Sequence, residues 1–183
     1  MPGHKLFAFV GPSGSGKTTL IKELIRAFSD EFEECISLTT RPRRGPEDDK
    51  FYRFITPDKL REKQEAGKLI QQVEYAGNFY ANDRDLTDRQ LKRSHCVMAL
   101  TEQGVKNFID AGYDVIVIRI LPRGYEATSD EQRLQADQDR AKMSIPVHIE
   151  ILNSFAPGGL ESATVELKRL IKRIISPPQH PAT

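Results

Sequence analysis

Short apolar runs alternate with amphipathic segments along most of the chain. Runs of this kind are typical of strands that are buried on both faces of a parallel sheet. Four of them occupy residues 6–10, 96–101, 114–121 and 147–152. Between them, apolar residues recur every three or four positions, as they do on the buried face of a helix. The alternation predicts a parallel α/β architecture.

The spacing predicts three amphipathic helices: one after the first strand, one that stops at Gly112, and one over residues 160–175. Their inward-facing residues are expected to be Leu20, Ile21, Leu24, Ile25, Phe28, Val105, Phe108, Ile109, Leu167, Leu170, Ile171 and Ile174. Ser129 and Gln132 form a capping box that predicts a further, mostly polar helix. Residues 177–183 are expected to be a disordered tail.

The middle of the chain, roughly residues 37–90, is richer in strand signals than the rest. "CISLT" and "FYRFI" read as strands, and the polar segment "TRPRRGPEDDK" between them reads as a loop. A helix is predicted from Pro57 through Gly67, and "LIQQVEYAGNFY" reads as strand, turn and strand. A short polar helix is expected over residues 84–93. We interpret this region as an insertion in the α/β core.

The composition indicates a soluble protein of one domain. The 183 residues are 38% hydrophobic and 29% charged, with a net charge of +1. Without a strong positive field, neither nucleic acid nor a membrane is an expected partner. Cys35 and Cys96 lie in apolar stretches and are expected to be buried, reduced thiols, and the N-terminal apolar run is too short for a signal peptide. These features predict a cytoplasmic protein.

The segment "GPSGSGKT", between the first strand and the first helix, fits the phosphate-loop pattern G-x-x-x-x-G-K-[ST]. Its glycines let backbone N–H groups point at phosphate, and the helix N-terminus adds a partial positive charge. Lys17 is expected to reach the β- and γ-phosphates, and Thr18 to ligate Mg²⁺. The predicted ATP-binding residues are Gly11, Pro12, Ser13, Gly14, Ser15, Gly16, Lys17, Thr18 and Thr19.

A phosphate loop alone does not define a reaction. The N-K-x-D motif with which switch GTPases read their base does not occur in the sequence, and motor and transporter ATPases are larger. A small chain with a basic insertion favours a kinase of small metabolites. The insertion brings Arg41, Arg43 and Arg44 near Ser37 and Thr39, and guanidinium groups bind phosphate bidentately. We therefore expect the phosphate of an acceptor to bind here.

The chain resembles the guanylate kinase family over nearly its whole length. The matching stretches, in family order, are "GPSGSGKTTL", "SLTTRPRRG", "FYRFIT", "GKLIQQVEYAGNFYAN", "EQGV" and, more weakly, "RG…RL" and "ILNS". The resemblance implies a P-loop NTPase fold, in which helices flank a parallel sheet, with an inserted α+β acceptor-binding subdomain and a short lid. It assigns residues 1–36, 96–121 and 145–176 to the core, 37–95 to the acceptor subdomain, 122–144 to the lid and 177–183 to the tail.

The resemblance also implies ATP-dependent phosphorylation of a nucleoside monophosphate. ATP and GMP would be the substrates, Mg²⁺ the cofactor, and a monomer or homodimer the assembly. The implied catalytic residues are Lys17, Arg41 and two lid arginines, Arg123 and Arg133, for which Arg119 and Arg140 are alternatives. The implied acceptor-binding residues are Ser37, Arg41, Arg44, Tyr52, Gln71, Tyr80, Asn82 and Thr101.

Gln71 departs from the family pattern. The family reads guanine with a glutamate, whose carboxylate accepts from both N1–H and N2–H, whereas an amide has one acceptor and one donor group. One pairing then becomes donor against donor, and an unpaired buried donor costs about 1–3 kcal/mol. Glu74 lies three residues on and faces the other side of a strand. Asn82 replaces a family serine. The amide pair suits another base or a non-base acceptor, or else guanine binds more weakly with help from water.

The core strand and the lid depart as well. The family pattern L-D-x-D-x-Q-G reads "MALTEQG" at residues 98–104, so an aspartate that supports Mg²⁺ through water and one that helps to fix the base are both missing. Glu102 lies one position off and would face the wrong way unless the strand end bulges. "IRILPRG" leads from strand to Arg123 without room for the usual helix.

Three hypotheses follow from these observations. The first is a nucleoside monophosphate kinase that acts on GMP. The second is a related kinase with another phosphorylated acceptor, either a different nucleotide or a sugar phosphate, which Gln71, Asn82 and Thr101 favour. The third is a binding module of the same fold that has lost catalysis, which Ala99 and the shortened lid favour and the intact phosphate loop disfavours.

Overall fold

The computed structural model describes residues 3–75, 77–124 and 144–176. Its strands are β1 (Leu6–Val10), β2 (Phe32–Glu34), β3 (Ser37–Thr39), β4 (Tyr52–Phe54), β5 (Leu69–Tyr75), β6 (Asn78–Asp83), β7 (His95–Ala99), β8 (Val115–Arg123) and β9 (Ile149–Ser154). Its helices are α1 (Lys17–Ala27), α2 (Pro57–Glu65), α3 (Arg84–Leu91), α4 (Glu102–Asp110) and α5 (Gly159–Ile175), and a 3₁₀ turn covers Pro46–Lys50.

Five strands form a fully parallel sheet in the order β2-β7-β1-β8-β9. Phe7 and Phe9 of the central strand β1 pack on one face with α1 and α5. Leu6, Ala8 and Val10 pack on the other face, together with residues of α4. Because both faces are covered, the strands read as continuous apolar runs rather than alternating ones. The α/β architecture expected from the alternation of strands and helices is confirmed, and the carboxyl ends of β1, β7 and β8 meet at one edge of the sheet.

A second sheet has the order β4-β3-β6-β5, in which β3 and β4 are parallel and the other pairs antiparallel. One of its faces is apolar: Leu38 and Ala81 are buried there with Leu60 of α2. Ile55, Leu69, Phe79 and Leu86 extend this cluster. The residues between these in sequence point to the opposite face, which is polar.

The structure differs from the predicted elements at several points. Strand β2 was not predicted, because it has three residues, of which only Phe32 is apolar. The strand expected over 35–39 begins at Ser37, since Cys35 belongs to the end of the first sheet, where its N–H donates to the Val97 carbonyl. Ile109 was expected to face inward but is 38% exposed, because it lies one residue from the end of α4.

The remaining expectations concern the cysteines, the polar helix after Ser129 and the tail. Cys35 and Cys96 are both buried free thiols, as expected. The helix predicted from Ser129 and Gln132, and the tail at 177–183, lie outside the described residues. Among the residues that the structure describes, no helix is both long and apolar enough to cross a membrane.

Candidate functional site

The loop between β1 and α1 has the backbone that only glycines adopt easily. Gly11, Gly14 and Gly16 have φ values of +144°, +80° and +96°. A Cβ on Gly11 would also stand 2.7 Å from the Ile120 carbonyl oxygen of neighbouring β8. The loop is therefore tightly seated on the edge of the sheet. Its following helix begins at Lys17, so the N-terminus of α1 points at the loop.

The Lys17 ammonium lies across this loop. Its Nζ donates to the carbonyl oxygens of Gly11 at 2.8 Å and Pro12 at 2.7 Å. Thr18 and Thr19 follow in the first turn of α1, and both are exposed. This arrangement offers an anion a lysine, two hydroxyl groups and the positive end of a helix dipole.

Asn153, at the carboxyl end of β9, supports the loop and was not identified in the sequence. It is 3% exposed, and its Nδ2 donates to the Ser15 carbonyl at 2.8 Å. A Cβ on Gly16 would collide with the same nitrogen. The "ILNS" match was the only signal for this residue. Beside it opens a cleft of about 470 Å³, lined by Gly16, Thr19, Asn153, Ser154, Phe155, Ala156, Gly158, Leu160 and Glu161.

The residues at the loop fit Mg²⁺ only together with a nucleotide. No group of three or more His, Cys, Asp or Glu residues that could hold a metal occurs in the described parts of the chain. The Thr18 hydroxyl is exposed and is a suitable single oxygen ligand. Mg²⁺ is commonly bound by few protein oxygens together with substrate phosphates, so this donor set is compatible with a nucleotide-borne ion.

The polar face of the second sheet holds most of the predicted acceptor residues. Pairing places Ser37 beside Tyr52, Thr39 beside both Phe54 and Tyr80, and Gln71 beside Asn82. Since laterally paired residues point to the same side, these side chains share one face. Thr101 comes from outside this sheet, at the N-cap of α4, where its Oγ accepts from the Gly104 N–H at 3.1 Å.

At one end of this face, Arg41 is held among aromatic rings. It is 7% exposed, and its guanidinium lies 5.1 Å from the centre of the Tyr52 ring. Tyr52 and Tyr80 meet edge to face at 5.9 Å. Burial raises the pKa of the Tyr52 phenol, with a further contribution from Tyr80 and an opposing one from Arg41. The Tyr52 phenol therefore remains protonated at neutral pH and can donate a hydrogen bond.

Asp48, in the 3₁₀ turn, orients the arginine segment and was also missed. Its Oδ2 accepts from Arg41 Nη1 at 3.1 Å and from the Arg44 backbone N–H at 2.8 Å. The hydrogen bond with Asp48 raises the pKa of the Arg41 guanidinium, and the bond from Arg41 lowers the pKa of the Asp48 carboxyl. The Arg44 side chain is exposed. The sequence offered no reason to select Asp48 over its acidic neighbours.

At the other end, three side chains form a hydrogen-bonded chain. Gln71 Nε2 donates to Asn82 Oδ1 at 2.8 Å, and Asn82 Nδ2 donates to Ser37 Oγ at 3.1 Å. Gln71 Oε1 lies against the first turn of α4, because a Cβ on Gly104 would be only 2.8 Å from it. The face thus has a cationic, phenolic end and a neutral end of amides and hydroxyls.

Glu34, at the end of β2, interacts electrostatically with residues of both regions. Burial raises the pKa of its carboxyl, and Lys22 of α1 partly offsets this rise. Its charge also raises the pKa of the Tyr52 phenol. Helix α1 and the Tyr52 phenol on the polar face of the second sheet are therefore both within electrostatic reach of the Glu34 carboxyl group.

The predicted lid arginines are only partly described. Arg123 is the last residue of β8 and is exposed. Arg119, its alternative, lies 3.7 Å from Glu150 on the adjacent strand. Arg133 and Arg140 lie outside the described residues. Of the positions where two aspartates were expected, Ala99 ends β7 and Thr101 caps α4, while Glu102 is the first residue of α4 and is 9% exposed.

Comparisons with known proteins agree on one family. Residues 3–153 match the family model described as guanylate kinase. The guanylate kinase of Homo sapiens is 30% identical, over 98% of both chains. That of Sus scrofa is 32% identical, over 81% of this chain and 77% of its own. That of Paraburkholderia xenovorans is 37% identical, over 73% of this chain and 59% of its own. The crystal structure of guanylate kinase from Anaplasma phagocytophilum superposes with a TM-score of 0.65 at 19% identity, covering 97% of this chain and 88% of that one, which supports the same fold.

Proposed function

The chain belongs to the guanylate kinase family, and on that premise we propose that it transfers the γ-phosphoryl group of ATP to GMP, forming ADP and GDP. The names of the relatives that it matches favour this reaction over another phosphorylated acceptor and over a non-catalytic module. We further propose that the enzyme works in the cytoplasm, as a monomer or homodimer, on these two small molecules.

The observation that supports the proposal is that this small protein has two separate sites that suit anions. The first is the glycine loop with Lys17 at the edge of the parallel sheet. The second is the buried Arg41 guanidinium with the phenols of Tyr52 and Tyr80. A donor phosphate chain and an acceptor phosphate are the substrates that such a pair of sites suits.

In the proposed complex, the loop residues Gly11–Thr18 wrap the ATP phosphates with their backbone N–H groups. Lys17 exchanges its bonds to the loop carbonyls for bonds to the β- and γ-phosphates. The adenosine end lies in the cleft beside Asn153. Mg²⁺ bound by the Thr18 hydroxyl and phosphate oxygens would neutralise part of the negative charge.

Arg41, Arg44, Tyr52 and Tyr80 hold the acceptor phosphate. The two hydrogen bonds of the Arg41 guanidinium both use Nη1, and the group has five N–H donors, so the fork retains donors for phosphate. Ser37, Gln71, Asn82 and Thr101 hold the base. We assign the phosphate to the cationic Arg41 end of the polar face and the base to its neutral Gln71 end.

The reaction is an in-line displacement. An anionic oxygen of the GMP phosphate bonds to the γ-phosphorus, the bond from that phosphorus to the bridging oxygen breaks, and ADP leaves with the electron pair. An acceptor oxygen that is already anionic needs no general base. Catalysis comes from positioning of the substrates by the two sites and from neutralisation of charge by Lys17, Arg41, Arg123 and Arg133. In this proposal, residues 122–144 are the lid, residues 37–95 are the acceptor subdomain and the rest is the core.

A coupled assay with ATP and a panel of acceptors tests the proposal. The panel contains GMP, AMP, CMP, UMP and ribose 5-phosphate, and ADP formation is the signal. We expect GMP to be phosphorylated and the sugar phosphate and pyrimidine nucleotides to be poor acceptors. Turnover of ribose 5-phosphate in preference to GMP would contradict the acceptor, and binding of ATP without turnover of any acceptor would indicate a binding module.

A further inference from the structure

We propose that the acceptor site recognises the lactam edge of a 6-oxopurine, its N1–H and C6=O, and does not read the 2-amino group. IMP, which has the lactam but lacks that amino group, is then phosphorylated about as well as GMP. The inference rests on the proposed function, because it assigns the base to the neutral end of the polar face.

In the structure, the Gln71 amide is oriented by its neighbour Asn82. Gln71 Nε2 donates to Asn82 Oδ1 at 2.8 Å, while Asn82 uses its own Nδ2 to donate to Ser37 Oγ at 3.1 Å. With Asn82 as it lies in the structure, turning the Gln71 amide over would set two carbonyl oxygens against each other, which removes one hydrogen bond and adds repulsion. Gln71 therefore presents one acceptor, Oε1, and its second N–H.

Different groups lie on the two sides of Gln71 Oε1. Toward Asn82 and Ser37 the groups are donors: Ser37 Oγ accepts from Asn82 and so keeps its own O–H for donation. Toward Gly104 and Thr101 lies the start of α4. A lactam fits this order, with N1–H donating to Oε1 and C6=O facing the donors on the Ser37 side.

The 2-amino group of guanine would then point toward α4 and need an acceptor there. Thr101 Oγ is a neutral oxygen that already accepts from the Gly104 N–H at 3.1 Å. The four strands of the second sheet all lie within the described residues, and their polar face has no carboxylate. The acidic residues of these strands, Glu74 and Asp83, lie on the other face. An amino group placed against a neutral hydroxyl oxygen gains little over its bonds to water, so GMP has little advantage over IMP.

The decisive experiment compares GMP, IMP and AMP as acceptors for the wild-type enzyme at saturating ATP. We expect kcat/KM for GMP and IMP to agree within about tenfold, since the extra amino group forms no strong bond. AMP should be poorer than IMP by at least about tenfold, because adenine has a donor at C6 where the site also donates. Calorimetric titration of the three nucleotides in the absence of ATP measures the same ratios independently of turnover.

The variant Gln71→Glu gives a second arm. Its carboxylate accepts from both N1–H and N2–H, and Asn82 can turn its amide to donate to it. The ratio of kcat/KM for GMP to that for IMP should rise by about tenfold or more. Glu74→Gln changes an exposed residue on the opposite face of the same strand, so it is the matched control and should leave the ratio unchanged.

The outcomes separate this inference from the proposed function. A wild-type preference for GMP over IMP of much more than tenfold overturns the inference while leaving the GMP kinase intact. Equal use of AMP and IMP would show that the lactam is not read, and would overturn it as well. If neither GMP nor IMP binds or is phosphorylated, the proposed function fails and the inference fails with it.

Discussion

At the scale of single residues, Lys17 is the side chain whose loss should affect chemistry most and folding least. Lys17→Ala removes the ammonium that we propose neutralises the transferring phosphate, and we expect kcat to fall by about 10²–10³-fold or more. The fold loses the bonds to the part-buried carbonyls of Gly11 and Pro12, each contributing about 1 kcal/mol. Steady-state kinetics and thermal melting measure both effects.

Lys59→Ala, at an exposed position of α2, is the control for Lys17→Ala and should change neither quantity. A Lys17→Ala enzyme with wild-type turnover would remove Lys17 from the mechanism. A variant that fails to fold would instead assign Lys17 a structural role in closing the loop.

Asn153 should affect one substrate and not the other. Asn153→Ala leaves the buried Ser15 carbonyl without its donor and frees the loop at Gly16, so we expect the Kd for ATP to rise by about 5–30-fold, equivalent to about 1–2 kcal/mol. The Kd for GMP, for which we propose a site on the second sheet, should not change. Calorimetry of each substrate alone tests this, with Asn107→Ala on the exposed side of α4 as the control. Equal weakening of both substrates would mean that Asn153 supports the whole fold rather than the loop.

At the scale of elements, Asp83 joins the second sheet to two helices. Its Oδ1 accepts from the Leu86 N–H at 3.0 Å and caps α3, and its Oδ2 pairs with Lys63 of α2 at 2.6 Å. The carboxylate is 1% exposed, whereas Lys63 is partly open to water. We expect Asp83→Ala to lower the free energy of unfolding by about 2–3 kcal/mol, and Asp83→Asn, which keeps the cap, by about 1 kcal/mol.

Denaturant unfolding measures these losses, and Asp85→Ala is the matched control. Asp85 lies in the same turn and pairs with Lys68 at 3.4 Å, but both side chains are about half exposed, so its loss should cost under about 1 kcal/mol. If Asp85→Ala costs as much as Asp83→Ala, burial of the Asp83 carboxylate is not what stabilises this junction.

Strands could be predicted from the sequence where successive side chains are all buried, and could not be predicted where only some of them are. Strands β1, β7 and β8 have both faces covered, so their apolar runs indicate them directly. Strand β2 has three residues and one apolar side chain, and it forms only because β7 pairs with it. The local pattern of apolar and polar residues does not indicate such a tertiary contact.

At the scale of the whole molecule, the candidate site combines local and distant contacts, and only the local ones were predictable. The phosphate loop is eight consecutive residues with a spacing that chemistry dictates, so the sequence indicates it without any knowledge of the fold. The bond from Asn153 to Ser15 joins residues 138 positions apart. The amide chain of Gln71, Asn82 and Ser37 similarly needs three strands in register, which no local pattern specifies.

Glu34 makes the stability of the whole molecule depend on pH. Burial raises the pKa of its carboxyl above the ordinary value of 4.5, so the folded protein holds this proton more tightly than the unfolded chain does. The contribution of Glu34 to the free energy of unfolding is most favourable below pH 4.5 and is lost as the pH rises through the folded pKa. At neutral pH a partly buried charge remains, which is destabilising. Glu34→Gln should therefore raise Tm at pH 7, and its advantage should shrink as the pH approaches 4.5.

Melting curves of wild type and Glu34→Gln from pH 4.5 to 8 test this sign. Glu31→Gln, which changes an exposed carboxyl near the start of the same strand, should show no such trend. If Glu34→Gln is instead less stable at pH 7, the attraction between Glu34 and Lys22 outweighs burial. The carboxylate would then be a favourable electrostatic partner of Lys22 on α1, rather than a cost of folding.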